Sequence, residues 1–258
     1  RNPHSVLAAL SERPADVLEI RLSGTKPHGA WQEVVDRARH HRVAITQIDP
    51  REKEMGRRGR QGPSDDAGRT TPAEAIVRPR EEWPLEQLLS AERVQAAPRG
   101  LWLALDQIQD PHNVGAIFRT AAFFGVQGIL MTRDRSSPLT GTVYDVASGG
   151  VEAVPFSQRA NLAQALEVAK KSGVWVLGTS EHAEQDVAQI SRDRPWLLVL
   201  GNEERGLRQL TLKTCDEICR LTPRGPVSSL NVSVAAAVLV AALSPGAESP
   251  VRSSRRER

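Results

Sequence analysis

The chain predicts an α/β protein in which helices cover both faces of a mostly parallel sheet, and three observations carry that reading. Between residues 101 and 243 short apolar runs recur, several without period-two alternation: LWLAL (101–105), GILM (128–131), VEAV (151–154), VWVL (174–177), LLVL (197–200) and EICRL (217–221). Strands buried on both faces read this way. Helix-patterned segments stand between them, the order that builds parallel sheets. A smaller helix–strand–helix–strand pattern fills residues 3–48, and a Gly- and Arg-rich stretch with little to bury separates the two. At 258 residues, 40% hydrophobic and 25% charged, the chain can supply two cores, which excludes wholesale disorder.

In the first unit, residues 4–10 (HSVLAAL) are a short apolar helix, VLEIRL (17–22) alternates, Trp31, Val34, Val35 and Ala38 recur at helical spacing, and VAITQI (43–48) alternates again. Arg37, Arg39, His40, His41 and Arg42 at the end of the second helix read either as a solvated helix end or as contacts for RNA phosphates. From residue 50 to about 99, REKEMGRRGRQGPSDDAGRTTP (51–72) dominates and predicts a mobile linker. Its Arg57, Arg58 and Arg60 either stay hydrated or hold RNA loosely, and residues 81–89 form a short helix leading onward.

In the larger unit, Asn113 is the expected cap of a helix to Phe124 stopped by Gly125, with Val114, Ile117, Phe118 and Ala121 on its buried stripe. Asn161 caps a second helix, over 161–171, that ends at Gly173 and buries Leu162, Ala165, Leu166 and Ala169. The apolar run over 232–243 is about 12 residues long, a core helix rather than the roughly 18 needed to cross a bilayer. The boundaries expected are a first domain at 1–49, the linker at 50–99, the main domain at 100–244 and a frayed basic tail at 245–258.

Thirty-four Lys and Arg against 31 Asp and Glu give a net charge of +3, so attraction for phosphates must come from local patches near the two ends. Cys215 and Cys219 lack a second Cys or His pair, which disfavours a zinc site. No disulfide framework is possible with two Cys, which suits a reducing cytoplasm. The chain opens on Arg1 rather than Met, so an upstream targeting segment stays open.

Ligands of parallel sheets lie beyond the carboxyl ends of the strands, which singles out three segments. In DQIQDPHNVGAIFRTAAFFG (106–125), Arg119 leaves the apolar stripe and reads as an ordinary surface Arg or as a cation beside the strand ends; His112 reads as a loop hydrogen-bond partner. In LLVLGNEERGL (197–207), Gly201 and Gly206 are spaced like the glycines of a P-loop, but Leu207 and Arg208 replace its Lys and Ser or Thr, which disfavours nucleoside triphosphates. Gly201 reads as a place where a ligand meets the backbone, or as a tight strand-to-helix turn with Glu203 and Glu204 at a helix N-terminus. In LTPRGPVSSLNVSVAAAVLVAAL (221–243), Ser229 has no G-x-S-x-G elbow and reads as a cap. No G-x-G-x-x-G follows any strand.

Taken in order, NVGAIFRTA, LGNEERGL and SSLNVSVAAA resemble the three motifs of the SpoU (TrmH) family of SPOUT RNA ribose 2′-O-methyltransferases, over about residues 101–243. Residues 3–48 resemble the L30e-like substrate-binding domain that precedes the catalytic domain in the bacterial 23S rRNA guanosine enzymes. The resemblance implies a SPOUT-type trefoil-knotted parallel-sheet methyltransferase domain and a homodimer with the active site at the subunit interface. It implies S-adenosylmethionine bound in the knot against Gly201, Leu221 and Leu230. Arg119 is then the catalytic residue, as base or as charge stabiliser, with Asn113, Glu203, Ser229 and Asn231 positioning substrate and cofactor and no metal required. Glu204 stands where the family usually has Gly, and Thr222 where Pro commonly follows the strand. The implied reaction is methyl transfer to a ribose 2′-hydroxyl of 23S rRNA, free or in a precursor ribosomal subunit. The rivals are a tRNA ribose methyltransferase and a non-catalytic RNA-binding scaffold.

Overall fold

The computed structural model describes residues 1–23, 27–48 and 73–244. The first unit comprises α1 (Pro3–Glu12), β1 (Val17–Ser23), α2 (Ala30–His40), β2 (Ala44–Ile48) and β3 (Ala73–Val77). Asn2 caps α1 by accepting the His4 N–H, with Pro3 at the first helical position where its missing donor costs nothing. The three strands order as β2-β1-β3, parallel on one side of β1 and antiparallel on the other. Leu10, Ile20, Val34 and Ala38 are fully buried between sheet and helices.

β3 falls inside the expected linker, and so do α3 (Leu85–Leu88) and α4 (Ala91–Ala96). The linker reading therefore fails for residues 73–99, while residues 49–72 with Arg57, Arg58 and Arg60, the loop at 24–26 and the tail at 245–258 lie outside the described residues. AEAIV buries only Ala73, so it carries no apolar signature; its backbone ladder with β1 defines it. Leu85, Leu89 and Val94 join Trp102 in the core of the larger unit, and the short helix expected over 81–89 is realised as α3.

The larger unit continues with β4 (Leu101–Leu105), α5 (Pro111–Phe124), β5 (Gly128–Thr132), α6 (Gly141–Ala147), α7 (Gly150–Ala153), β6 (Phe156–Arg159), α8 (Leu162–Lys171), β7 (Trp175–Thr179), β8 (Gln185–Asp186), β9 (Trp196–Leu200), α9 (Gln209–Thr214), β10 (Glu217–Arg220) and α10 (Val232–Leu243). Its seven strands order as β6-β5-β4-β9-β7-β10-β8, every pairing parallel. All five residues of β4, β5 and β9 are buried. Leu101, Leu103 and Leu105 face the layer of α5 and α10, while Trp102 and Ala104 face that of α3, α4 and α8. Near-continuous apolar strands are the expected result of covering both faces.

Two elements depart from the sequence reading. VEAV is not a strand: residues 150–153 form α7, and the strand is Phe156–Arg159. Ser148 (φ 49°) and Gly149 (φ 95°) turn the chain through left-handed backbone, after which Val151 and Val154 enter the core three residues apart. Helix α5 starts two residues before Asn113, because Asp110 caps it by accepting the His112 N–H and Pro111 occupies its first position. The Asn161 cap and the left-handed Gly125 stop stand as expected. Gly115 and Gly150 let α6 and α7 press on α5: a Cβ at 115 would lie 2.7 Å from that of Val146, and one at 150 would lie 2.6 Å from the Phe118 carbonyl oxygen.

Candidate active site

The carboxyl ends of β4, β9, β7 and β10 lie side by side. Leu105 is level with Leu200, and Cys219 with Thr179, so the segments after 105, 179, 200 and 220 leave one edge of the sheet together. These include all three segments singled out from the sequence.

The structure brings Asn113 and Glu203 into contact. Freed from capping, the buried Asn113 donates from Nδ2 to Glu203 Oε1 at 3.0 Å. Asn202 donates from its Nδ2 to the Gln107 carbonyl at 2.9 Å and to Glu203 Oε2 at 3.3 Å. The Asn202 Oδ1 accepts the N–H groups of Glu204 and Arg205, and its backbone exchanges two hydrogen bonds with Gly206 (φ 63°). Residues 202–206 therefore form a closed turn held by its own Asn. Glu203 and Glu204 sit in this turn and not at a helix N-terminus, since α9 begins only at Gln209.

Gly201 is where this turn folds back. A Cβ there would stand 2.4 Å from the Gly206 carbonyl carbon and 2.5 Å from the Leu207 nitrogen. The backbone that approaches Gly201 is thus the chain's own, and the turn reading accounts for the glycine. Below it, the buried Asp106 carboxylate accepts the Thr211 hydroxyl at 2.8 Å and pairs with Arg208 at 2.9 Å. Gln107 adopts φ 61° while donating its N–H to Thr132 Oγ1 at 2.8 Å.

The third segment runs along the same edge. Leu221 is partly buried against the core, whereas Val227 and Leu230 are 71% and 51% exposed. Ser229 is exposed and is not the cap of α10. That role falls to Asn231, whose Oδ1 accepts the Ser233 N–H at 2.9 Å and its hydroxyl at 2.6 Å. Asn202, Asp106 and Asp186 were not singled out from the sequence; Asn202, lying between Gly201 and Glu203, was the most findable.

Thr222 explains one departure from the family pattern. Its N–H and its hydroxyl both donate to Asp186 Oδ2, and a proline there would have no N–H to give. These bonds, with the Ala188 N–H, hold the Asp186 carboxyl below its ordinary range, the Thr222 hydroxyl contributing most. A group with a lowered folded pKa stabilises the contact fully above its ordinary value, and that contribution is lost as pH falls through the lower one. The segment after β10 should therefore loosen as acid protonates Asp186. Amide exchange at Thr222 is expected to rise on acidification beyond its intrinsic pH trend, and to be raised at neutral pH in Asp186→Asn; equal protection of wild type and variant at neutral pH would rule the latch out.

Arg119 lies on the exposed side of α5 and makes no ion pair or hydrogen bond among the described residues, and neither does Ser229. The His112 ring and backbone both engage Asp110, as a loop partner does. Burial pushes the Cys215 and Cys219 thiols up to about 12, so neither is a nucleophile near neutrality. Among the described residues no group of three His, Cys, Asp or Glu side chains could hold a metal.

A parallel sheet whose polar loops converge on one carboxyl edge, with an asparagine–carboxylate pair there, defines a ligand-binding α/β fold; Arg119, six residues beyond Asn113 along α5, contacts neither member of that pair. The sequence profile described as the SpoU rRNA Methylase family matches residues 100–241, and the chain belongs to that family. Its relatives include the 23S rRNA (guanosine-2′-O-)-methyltransferase RlmB of Pseudomonas aeruginosa, 38% identical over 239 residues and 91% of each chain. The protein of the same name from Nitrosomonas europaea is 33% identical over 91% of this chain and 86% of its own. Among solved structures, the SpoU methyltransferase AviRb from Streptomyces viridochromogenes in complex with AdoMet superposes with a TM-score of 0.71 at 20% identity, covering 94% of this chain and 87% of that one. That likeness shows the SpoU fold.

Proposed function

We propose that this chain transfers a methyl group from S-adenosylmethionine to the ribose 2′-hydroxyl of a guanosine in 23S rRNA. The observation that carries the reading is the match to relatives bearing that activity in their names over 91% of both chains, first unit included; the Asn113–Glu203 pair supplies a site to match. On this reading the first unit, expected over residues 1–49 and joined in the sheet by β3, is an L30e-like RNA-binding domain, and α10 closes a trefoil knot.

The carboxyl edge fits the cofactor. Leu221, the first residue after β10, and the exposed Val227 and Leu230 on the segment that follows supply apolar side chains of the kind that suits an adenosine. When bound, S-adenosylmethionine supplies an electrophilic methyl group on a cationic sulfur. This chain's residues supply alignment and charge control. A guanidinium keeps its proton in water, so Arg119 acts electrostatically: it stabilises negative charge growing on the 2′-oxygen while the hydroxyl proton leaves to solvent, which reaches Arg119 freely. Asn113 holds Glu203 in place, and the Asn202 turn fixes both; Ser229 and Asn231 lie on the segment that meets the substrate.

We further propose a homodimer. The packed helices α5 and α10 leave Phe123 83%, Val234 49% and Val238 43% exposed, apolar area that a second copy would cover. No described helix is long and apolar enough to cross a membrane, and the proposed site of action is the cytoplasm. The test is to incubate the protein and labelled S-adenosylmethionine with tRNA, free rRNA and ribosomal subunits, and to map any methylated ribose by mass spectrometry. A 2′-O-methylated guanosine in 23S rRNA is the expected product. Label in tRNA alone would favour the tRNA enzyme, and failure to bind the cofactor would favour the scaffold.

A further inference from the structure

The two units meet through a buried ion pair that the reaction does not use. Arg13, at the end of α1, sends Nε and Nη2 to the two oxygens of Glu152 at 2.8 and 2.7 Å, and their side chains are 14% and 2% exposed. A forked pair of this kind fixes orientation as well as distance. Around it, Arg80 donates to the Val151 and Val154 carbonyls and its N–H to the Tyr144 hydroxyl. Asn2 donates to the Asp145 carbonyl at 2.7 Å and to Ser148 Oγ at 2.9 Å, and Ser5 bridges the Tyr144 carbonyl and the Gly149 N–H. The first unit is thus seated on α6 and α7.

Those same helices back α5. A Cβ on Gly150 would stand 2.6 Å from the Phe118 carbonyl oxygen and 2.9 Å from the Arg119 nitrogen, and Glu152 lies two residues further along α7. Contact therefore runs without a gap from α1 through Arg13 and Glu152 to the backbone that carries Arg119.

We propose that Glu152 is a positioning residue: through Arg13 it holds the first unit and Arg119 in one fixed relation, so that RNA gripped by the first unit meets Arg119 in a single register. This rests on the methyltransferase reading above and adds to it a specificity device outside the motifs.

The test uses the full chain with Glu152→Ala and, to retain the charge while losing the fork, Arg13→Lys. Three quantities are compared with wild type: cofactor stoichiometry by calorimetry, the Kd for a protein-free 23S rRNA transcript, and kcat at saturating transcript. Spin labels on Glu33→Cys and Gln164→Cys, one in each unit, report the distance distribution between units. Expected are unchanged stoichiometry, Kd within about two-fold, a broadened distance distribution and kcat lower by about ten-fold or more, since small misplacement of reacting groups is costly. Wild-type kcat despite a broadened distribution overturns the proposal, as do unchanged distances in both variants. A kcat loss that merely tracks lost cofactor stoichiometry assigns Glu152 a structural role and overturns it too. Should wild type methylate neither the transcript nor ribosomal subunits, the functional reading falls, and the distances alone decide whether the clamp exists; if only subunits are methylated, Kd and kcat are measured on them.

Discussion

Arg119→Ala is expected to lower methyl transfer by about 10²–10³-fold, the range seen when one preorganised donor to a developing oxyanion is removed, while leaving fold and cofactor binding intact. Arg119 is exposed and supports no described neighbour, so its truncation leaves neither a cavity nor a stranded partner. The buried stripe of α5, with Val114, Ile117, Phe118 and Ala121, is untouched. The check is single-turnover methylation of 23S rRNA alongside calorimetry with S-adenosylmethionine and a melting curve. Turnover near wild type in the folded variant would remove Arg119 from the reaction.

Gly201→Ala should act by the opposite route. The added methyl group has no rotamer with which to avoid the Gly206 and Leu207 backbone 2.4–2.5 Å away, so the turn over 202–206 must move. Its displacement strains the contacts of Asn202 with Gln107 and of Glu203 with Asn113. Overpacking of this kind costs about 1–3 kcal/mol, readable as a lower urea midpoint at unchanged m-value. Cofactor affinity should fall by at least about ten-fold, because the displaced backbone borders the proposed pocket. An Ala variant with wild-type stability and affinity would show that the turn tolerates the methyl group and that the close approach is not a requirement.

Much of the architecture was legible because the strands of the larger sheet are buried on both faces. LWLAL, GILM and LLVL contain almost nothing but apolar residues, and the Asn161 and Gly125 signals mark real helix ends. The misreadings share a cause: tertiary partners overrode local pattern. VEAV has strand composition but lies in α7, where Glu152 answers an arginine 139 residues away. AEAIV shows no periodicity, yet β1 offers it a ladder. Asn113 looked like a cap until Asp110 and Pro111 took that task and left its amide for Glu203 90 residues on. Of the expected site residues, Asn113 meets Glu203 directly and Gly201 opens the turn that carries Glu203, whereas Arg119 and Ser229 touch none of the others through a described hydrogen bond or ion pair. The supports supplied by Asp106, Asn202 and Asp186 are hydrogen-bond partnerships between distant segments, which carry no local signature.

The position of β4 has a consequence for how the molecule is made. It lies between β5, its near neighbour in sequence, and β9, which follows some 95 residues later. During synthesis LWLAL emerges with one flank unsatisfied, and that flank stays open until Trp196–Leu200 has left the ribosome. An apolar strand waiting this long invites pairing with neighbouring chains. Yield in a heated or crowded cell should thus depend on chaperone supply, more so than for a protein whose central strand pairs early.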